Sequence, residues 1–336
     1  MAKPGDTMKY RALGLAVALT GLAEMPASAV AYEFGSPGTD QKPGIVLGGA
    51  SAGVPAPGIY MFEQFYTYQA TITGPGRPPG DSVPVRLNSE STGFLFVPDW
   101  SFLGARYDAV IVQPVSNLGV GAPINSNYFG LHDTLFIPIE LSWKLGDSGF
   151  FVKSGFGFYA PDGTITGANG LSGPGHPWWT FVPSVIVSYL KDGWNLTAGF
   201  YLEADTRNTY TGYQSGDVLH AEFAATRRIG KWTVGPIGYY YGQVTDDRSS
   251  AYYHDAINVN RYNVWAAGAL VGYDFGPVAV NVWALDDVHA DSSGSAPVAG
   301  KTSITEGFNV FASMSFRLWA PDDGESPTAP KKLRYK

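Results

Sequence analysis

Residues 195–205, with the sequence Asn-Leu-Thr-Ala-Gly-Phe-Tyr-Leu-Glu-Ala-Asp, decide the fold class of this chain. Every second residue from Leu196 to Ala204 is apolar, and Thr197 and Glu203 belong to the intervening set. Alternation with a period of two is typical of a β-strand with one face in an apolar environment and the other in a polar one. A tilted strand of about ten residues is long enough to cross a bilayer. The segment therefore predicts a membrane-crossing strand.

The same alternation recurs from residue 58 onward, and the connections between alternating segments are short and long in turn. Other clear examples are Tyr60–Tyr68, Val218–Arg228 and Phe308–Trp319. The short connections are Gly146–Gly149, Lys191–Gly193, Ile229–Lys231 and Gly276–Pro277, and the long polar ones are Ala160–Trp178, Thr206–Gly216, Thr245–Arg261 and Asp287–Thr305. Transmembrane barrels have short periplasmic turns and long outer loops, whereas a soluble sandwich has no reason to keep this order.

The same order predicts the number of strands. Nine alternating segments follow Asp133, and three more are expected at Ile59–Thr71, Val83–Val97 and Arg106–Val115. Bacterial outer-membrane barrels have an even number of strands. The fold class predicted is all-β, a transmembrane antiparallel up-and-down β-barrel of about 12 strands.

Composition excludes several other classes of protein. Charged residues make up 15% of the chain and hydrophobic residues 45%, with a mean hydropathy of −0.05. Beyond residue 30 the sequence has no apolar run of about 18 residues, as a helical membrane protein requires. The absence of cysteine excludes thiolate chemistry and cysteine-ligated metals. The net charge of −7 gives no support for nucleic-acid binding, and neither a cofactor nor a metal is expected.

The N-terminus has the features of a secretion signal. Lys9 and Arg11 precede the apolar run Ala12–Ala23, and both Ala27-Ser28-Ala29 and Ala29-Val30-Ala31 offer a small-residue cleavage site. We therefore expect a signal peptide at residues 1–29, a periplasmic leader at 30–57, an outer-membrane barrel at 58–319 and a periplasmic C-terminal tail at 320–336. The location expected is the outer membrane of a Gram-negative cell.

Tryptophan residues fall into two sets at opposite strand ends. Trp143, Trp194, Trp232 and Trp319 lie near the short turns, and Trp178, Trp179, Trp265 and Trp283 lie near the long loops. Aromatic girdles at two membrane interfaces have this distribution. Aromatic strand propensity is the alternative, but it does not predict clustering at strand ends.

Several motifs resemble a known family. They are Pro57-Gly58, the strand from Asp133 to Trp143, Gly157–Gly163 (GFYAPDG), Asn208–Asp217 (NTYTGYQSGD) and Gly238–Asp247 (GYYYGQVTDD). Together these stretches resemble outer-membrane proteins assigned to transport in the meta-pathway of phenol degradation, over Pro57 to Trp319. The resemblance implies an outer-membrane barrel that admits aromatic or other hydrophobic compounds. It implies no particular functional residues.

Polar positions on the alternating strands are candidates for the lumen. We expect the barrel interior to be lined by Glu63, Glu140, Lys153, Glu203, Asp205, His220, Glu222 and Arg317. These side chains either form a polar track that selects solutes or are paired and fill a narrow lumen. An aromatic corner is expected at the outer mouth, formed by Tyr239, Tyr241, Tyr252 and Tyr253, and an aromatic girdle is the alternative.

Three functions are compatible with these patterns. The first is an outer-membrane channel for small hydrophobic or aromatic compounds, and the second is a structural or adhesive barrel without conduction. The third is a membrane-embedded hydrolase or acyltransferase based on His220 and Glu222, but nothing in the sequence picks out a nucleophile to act with them. The partners expected are outer-membrane lipid and lipopolysaccharide, the barrel assembly machinery and the solute.

Overall fold

The computed structural model describes Glu33 and residues 38–77, 82–255, 260–294 and 303–321. These residues form fourteen β-strands and one short 3₁₀ turn at Ala251–Tyr253. The strands are β1 (Gly58–Thr73), β2 (Pro84–Val97), β3 (Ser101–Phe102), β4 (Ala105–Val120), β5 (Ser126–Leu131), β6 (Thr134–Lys144), β7 (Phe150–Ala160), β8 (Thr180–Lys191), β9 (Trp194–Asp205), β10 (Val218–Ile229), β11 (Trp232–Gln243), β12 (Asn260–Asp274), β13 (Val278–Gly294) and β14 (Ile304–Trp319).

Twelve of these strands close into an antiparallel barrel. Each pairs with its neighbours along the chain, and β1 pairs with β14 from Ile59–Trp319 to Thr73–Ile304, which closes the ring. The two remaining strands are local additions: β3 pairs with the start of β4, and β5 pairs with its end. The prediction of a barrel of about twelve strands is confirmed. Closure leaves no sheet edge with unpaired backbone groups. Such barrels can therefore span a membrane, where hydrocarbon offers no hydrogen bonds.

Strand β9 has the two faces that its alternation predicts. Phe200 and Leu196 point outward and are 42% and 43% exposed, whereas Tyr201 and Glu203 point inward and are buried. The lumen of this barrel is therefore filled on the β9 side, because an open lumen would leave the inward side chains accessible.

Short turns join the strands at one end of the barrel. The connection from β8 to β9 consists of Asp192 and Gly193, both with positive φ angles, of 54° and 80°. Two successive positive φ angles are the conformation of a tight hairpin turn, which favours Asp or Asn followed by Gly. Among the described residues, no helix is long and apolar enough to cross a membrane.

The segment before β1 lies inside the barrel. Residues 38–57, called the plug below, contain no regular strand, and their backbone groups bond to inward-facing side chains of β1, β4, β6, β8, β9, β10, β13 and β14. The sequence predicted that this leader would lie in the periplasm, so the structure differs over residues 38–57. The predicted signal peptide lies outside the described residues, as does the predicted tail beyond Pro321.

Two of the eight tryptophans predicted to form girdles point inward instead. Trp178 and Trp283 are 3% and 1% exposed, whereas Trp179, Trp265 and Trp232 are 44%, 48% and 52% exposed on the outer surface. Trp283 packs parallel to Phe311 and donates its indole N–H to the plug. Trp283 is the sixth residue of the 17-residue strand β13, so it does not lie at the loop end that the sequence predicted.

Candidate functional site

The outer end of the plug is held by a buried polar cluster around Asp40. One Asp40 carboxylate oxygen lies 2.6 Å from His176 Nδ1, and the other accepts a hydrogen bond of 2.5 Å from Thr180 Oγ1. The Asp40 N–H donates to Glu203 at 2.9 Å, and the Thr180 hydroxyl also lies 2.6 Å from Asp205. Each of these five residues is at least nine-tenths buried. The cluster therefore fixes the plug to the loop before β8 and to the outer end of β9.

Charge stabilises the contact between Asp40 and His176. Burial by itself would raise the pKa of Asp40, but the neighbouring His176 imidazolium and its hydrogen bond lower this pKa to about 2. Burial by itself would lower the pKa of His176, but the Asp40 and Asp133 carboxylates raise it well above its ordinary value. The two side chains therefore form a buried ion pair at neutral pH.

Asp133 holds the loop that carries His176. Its two carboxylate oxygens accept hydrogen bonds from the backbone N–H of Gly163 at 3.0 Å and from that of His176 at 2.8 Å. Asp133 and Gly163 belong to two of the motifs singled out in the sequence, and their contact explains why those motifs occur together. The loop geometry places His176 over the plug.

Two sets of ligand atoms in this region could hold a cation. The atoms of Asp40, His132 and His176 lie within 4.8 Å of one another, and so do those of Asp40, Glu203 and Asp205. Imidazole and carboxylate suit a transition metal, and three carboxylates suit a hard cation such as calcium. The sequence predicted no metal, because Asp40 was not expected near these residues.

The middle of the plug passes close to β10 and β13. The Gly44 N–H donates to Glu222 at 2.9 Å, and the indole of Trp283 donates to the Gly44 carbonyl at 2.9 Å. A Cβ atom at Gly48 would lie 2.3 Å from the Trp283 ring. Glycine is therefore required at Gly48 for the backbone to approach this wall.

The lower end of the plug is bound by hydroxyl groups. The Ala52 N–H donates to Ser188 Oγ at 2.8 Å, and Ser142 Oγ donates to the Ala52 carbonyl at 2.5 Å. Nearer β1, Arg106 donates to the Val54 carbonyl at 3.1 Å. Because buried backbone groups must be hydrogen-bonded, these contacts allow an irregular segment to lie in the lumen.

A buried ion cluster lies beside the lower half of the plug. Lys153 Nζ is 3.0 Å from Asp108 and 3.2 Å from Glu140. The two carboxylates come from neighbouring strands β4 and β6, and the amine comes from β7. This pairing keeps charges of the wall from projecting free into the lumen.

The plug leaves a cavity of about 1170 Å³ along the other side of the lumen. The cavity reaches from His132 and Pro174 at the loop end to Asp192 and Asp274 at the turn end. On the side of β2, β4 and β6 its wall carries the apolar side chains Val85, Leu87, Leu95, Val110, Val112, Leu118, Leu135 and Ile137. The cavity wall on these strands is thus mainly apolar, with Ser89, Ser91 and Ser116 among the apolar side chains.

Seven of the eight predicted lumen residues point into the barrel. Glu140 and Lys153 line the cavity, and Arg317 donates to the Pro57 carbonyl at the lower end of the plug. The other four, on β9 and β10, are buried and lie outside the cavity lining: Glu203, Asp205, His220 and Glu222. His220 and Glu222 are not paired with each other, because His220 Nε2 lies 3.2 Å from Glu203 and Glu222 binds the plug.

The assignment of Glu63 to the lumen is wrong. The inner face of β1 carries Gln64, which donates to the Ile45 carbonyl of the plug, and Tyr68, which donates to Asp287. Glu63 has the opposite parity and accepts a hydrogen bond of 3.0 Å from Thr92 on the outer surface. Alternation defines two faces but not which of them is inside, and on β1 the aromatic face is inside because it packs around the plug.

The four tyrosines predicted at the outer mouth do not form one corner. Tyr239 and Tyr241 are buried inside the barrel, where the Tyr239 hydroxyl donates to Asp287 at 2.5 Å. Tyr252 is 50% exposed in the loop after β11, and Tyr253 packs against Tyr213. Tyr253 also contacts the part of the chain before the plug, because its hydroxyl donates to Glu33. Glu33 accepts two further hydrogen bonds, from Asn208 and Thr211.

Comparison with protein families identifies the chain. A family model described as the MetA-pathway of phenol degradation matches residues 73–295. The chain belongs to this family. The match includes four of the five motifs quoted above, and with them Asp133, the residue that holds the His176 loop. A comparison with curated proteins finds no match.

The fold is similar to that of a solved outer-membrane channel. The COG4313 outer membrane channel from Pseudomonas putida F1 has a TM-score of 0.64 at 10% identity, covering 82% of this chain and 99% of that one. The toluene transporter TodX from Pseudomonas putida has a TM-score of 0.37 at 9% identity, covering 87% and 98%. The translocator domain of the autotransporter NalP from Neisseria meningitidis has a TM-score of 0.42 at 11% identity, covering 78% and 88%. With the first of these, this family member shares the fold of an outer-membrane barrel.

Proposed function

We propose that this protein is an outer-membrane channel for small hydrophobic or aromatic compounds. The observation that carries the proposal is the cavity of about 1170 Å³, which runs beside the plug and has an apolar wall. Pockets of roughly 300–1,000 Å³ accommodate small organic molecules, so one or more such solutes fit. Membership of a family named for phenol degradation supports the same class of solute.

The apolar wall favours neutral solutes over ions. Lumen walls of water-filled porins are polar, whereas Leu95 and Val110 face this cavity as a direct cross-strand pair. Two charged groups that line the cavity, Lys153 and Glu140, are paired with each other, and Lys153 is also paired with Asp108. A neutral aromatic solute therefore gains apolar contact here without breaking an existing ion pair.

The remaining elements of the proposal concern export and partners. A precursor carrying residues 1–29 would be cleaved during secretion, because its charged, apolar and small-residue regions are in the required order. The mature chain would be inserted by the barrel assembly machinery and would contact lipopolysaccharide in the outer leaflet of the membrane. Glu222 binds the backbone of the plug, and His220 is fully buried and lies outside the cavity lining, which favours a channel over a hydrolase.

Uptake into proteoliposomes tests the channel. We expect N-phenyl-1-naphthylamine, a neutral aromatic probe, to enter lipopolysaccharide-containing liposomes several-fold faster with the protein than without it. The double substitution Leu95→Asn and Val110→Asn should reduce this uptake, because it makes the apolar wall polar. Leu95→Met with Val110→Ile is the matched control and should transport normally. Uptake equal to that of empty liposomes, with no conductance, would instead support a structural barrel.

A further inference from the structure

The outer surface of the barrel is apolar over most of its circumference. On β8, β9, β10 and β11 the outward side chains between the strand ends are apolar or aromatic, as in Val185, Phe200, Phe223 and Val234, which are 37–46% exposed. The same holds for β14 from Phe308 to Leu318. This surface is suited to acyl chains, which form no hydrogen bonds.

Strands β1 and β2 differ, because many of their outward residues are polar. These form a surface called the outer patch below: Glu63, Thr67, Gln69, Arg86, Asn88, Glu90 and Thr92. Phe65 lies within the patch, opposite Glu90, and Phe94 and Phe96 lie on its turn-end side. The cross-strand register joins Glu63 to Thr92, Thr67 to Asn88, and Gln69 to Arg86. The inward residues of β2 include Leu87 and Leu95 of the apolar cavity wall. The outward face of these two strands is thus more polar than the outward face of β8 to β11.

The outer patch reaches into the part of the strands that crosses the membrane. Glu63 is four residues from Ile59, where β1 begins its pairing with Trp319 at the end of β14. A crossing needs about ten residues, so Glu63 and Thr92 lie within the span, and Glu90 lies further along the same crossing. Exposing charged or hydrogen-bonding groups to hydrocarbon is unfavourable. The Glu63–Thr92 hydrogen bond satisfies part of this surface, but Asn88 and Glu90 are exposed.

We propose that the outer patch is the contact surface for a second copy of this chain, which forms a symmetric dimer in the membrane plane. All copies insert with the same orientation, so two such patches meet at the same depth. Each patch presents both acceptors, Glu63 and Glu90, and donors, Arg86, Gln69 and Asn88. It is therefore complementary to itself, as a two-fold interface requires.

Lipopolysaccharide fits the patch less well than a second copy. Its charged groups lie above the acyl chains and could reach Arg86 near the loop end of β2. Glu63 lies nearer the turn end of β1, at a depth where a lipid offers only hydrocarbon. A protein surface can offer donors along the full height of the patch.

Cysteine cross-linking tests the dimer, because the chain has no cysteine of its own. Asn88→Cys places one thiol in the outer patch, and Val234→Cys places a matched thiol on the outward face of β11. Oxidation in isolated outer membranes should give a covalent dimer with Asn88→Cys and none with Val234→Cys. Equal cross-linking of the two variants would overturn the proposal.

Replacement of the patch gives a second measurement, made by native mass spectrometry of purified protein. We expect wild-type protein to be a dimer and the triple variant Thr67→Leu, Asn88→Leu and Glu90→Leu to be a folded monomer. Folding is checked by the heat-dependent shift of the barrel on electrophoresis. A monomeric wild-type protein would overturn the proposal. If that monomer also carried bound lipopolysaccharide that the triple variant lost, the patch would be a lipid site instead.

Discussion

Asp40 and His176 hold the outer end of the plug, although neither is distinctive in the sequence. Both side chains are 1% exposed, and their contact of 2.6 Å joins residues 136 positions apart. A buried ion pair that loses one partner is strongly destabilised, because the other charge stays buried without compensation. A single substitution at Asp40 should therefore strongly destabilise the bound position of the plug.

Asp40→Asn should loosen the outer end of the plug. We expect the conductance in planar bilayers at neutral pH to rise several-fold, because the His176 imidazolium loses its carboxylate partner. Asp147→Asn, on the exposed turn between β6 and β7, is the matched control and should leave conductance unchanged. If Asp40→Asn had the same conductance as wild type, the ion pair would not be what holds the outer end of the plug.

The same ion pair gives a dependence on pH. The pKa of Asp40 is lowered to about 2 from an ordinary value of 3.8, so its stabilisation is present above pH 3.8 and is lost as the pH falls towards 2. The pKa of His176 is raised, so its contribution persists through neutral pH and is lost only on the alkaline side. Wild-type conductance should therefore rise below pH 4, and Asp40→Asn should show a smaller rise.

The plug is an element without regular secondary structure. Its backbone bonds to side chains of the wall, including Glu203, Glu222 and Ser188, in place of the ladder that a strand would use. Small residues at Gly44, Gly48 and Ala52 let the backbone approach closely. Because the cavity runs beside the plug, the proposed channel does not require the plug to leave the lumen.

A disulfide can test whether the plug must move. Ala52 and Ser188 are joined by a hydrogen bond of 2.8 Å, so Ala52→Cys with Ser188→Cys should form a cross-link on oxidation. We expect uptake of N-phenyl-1-naphthylamine to be the same for the oxidised and reduced double variant, with single Ala52→Cys as control. Loss of uptake on oxidation, with recovery on reduction, would mean that transport requires displacement of the plug.

At the scale of the whole molecule, the barrel has a loop end and a turn end. The connections between β7 and β8 and between β9 and β10 are long, whereas those between β8 and β9 and between β10 and β11 contain two residues each. The plug enters from the loop end, since Glu33 contacts Asn208 and Tyr253, and leaves at the turn end, where β1 begins.

Labelling of whole cells tests this orientation. Ala251→Cys lies in the exposed loop after β11, and Asp147→Cys lies in the exposed turn after β6. A membrane-impermeant thiol reagent should label the first in intact cells and the second only after the outer membrane is opened, because long loops face outward. The opposite labelling pattern would show that the short turns, and not the long loops, face outward.

Local pattern was sufficient for much of the barrel. The alternation in 195–205 follows from the geometry of one strand, and the order of short and long connections follows from hairpins joined in sequence. These features gave a barrel of twelve strands and the inward direction of Glu203 and Glu222. The motifs around Asp133 and Asn208 gave the family.

What lies inside the barrel was decided by tertiary structure. The plug has no periodicity, and its position depends on partners such as Glu203 and Glu222 that are more than 160 residues away in the chain. Its presence makes an aromatic face of β1 the inner one, which turns Glu63 outward, and it leaves the apolar faces of β2 and β4 to line the cavity. A period of two assigns residues to two faces, but only the contents of the lumen determine which face is buried.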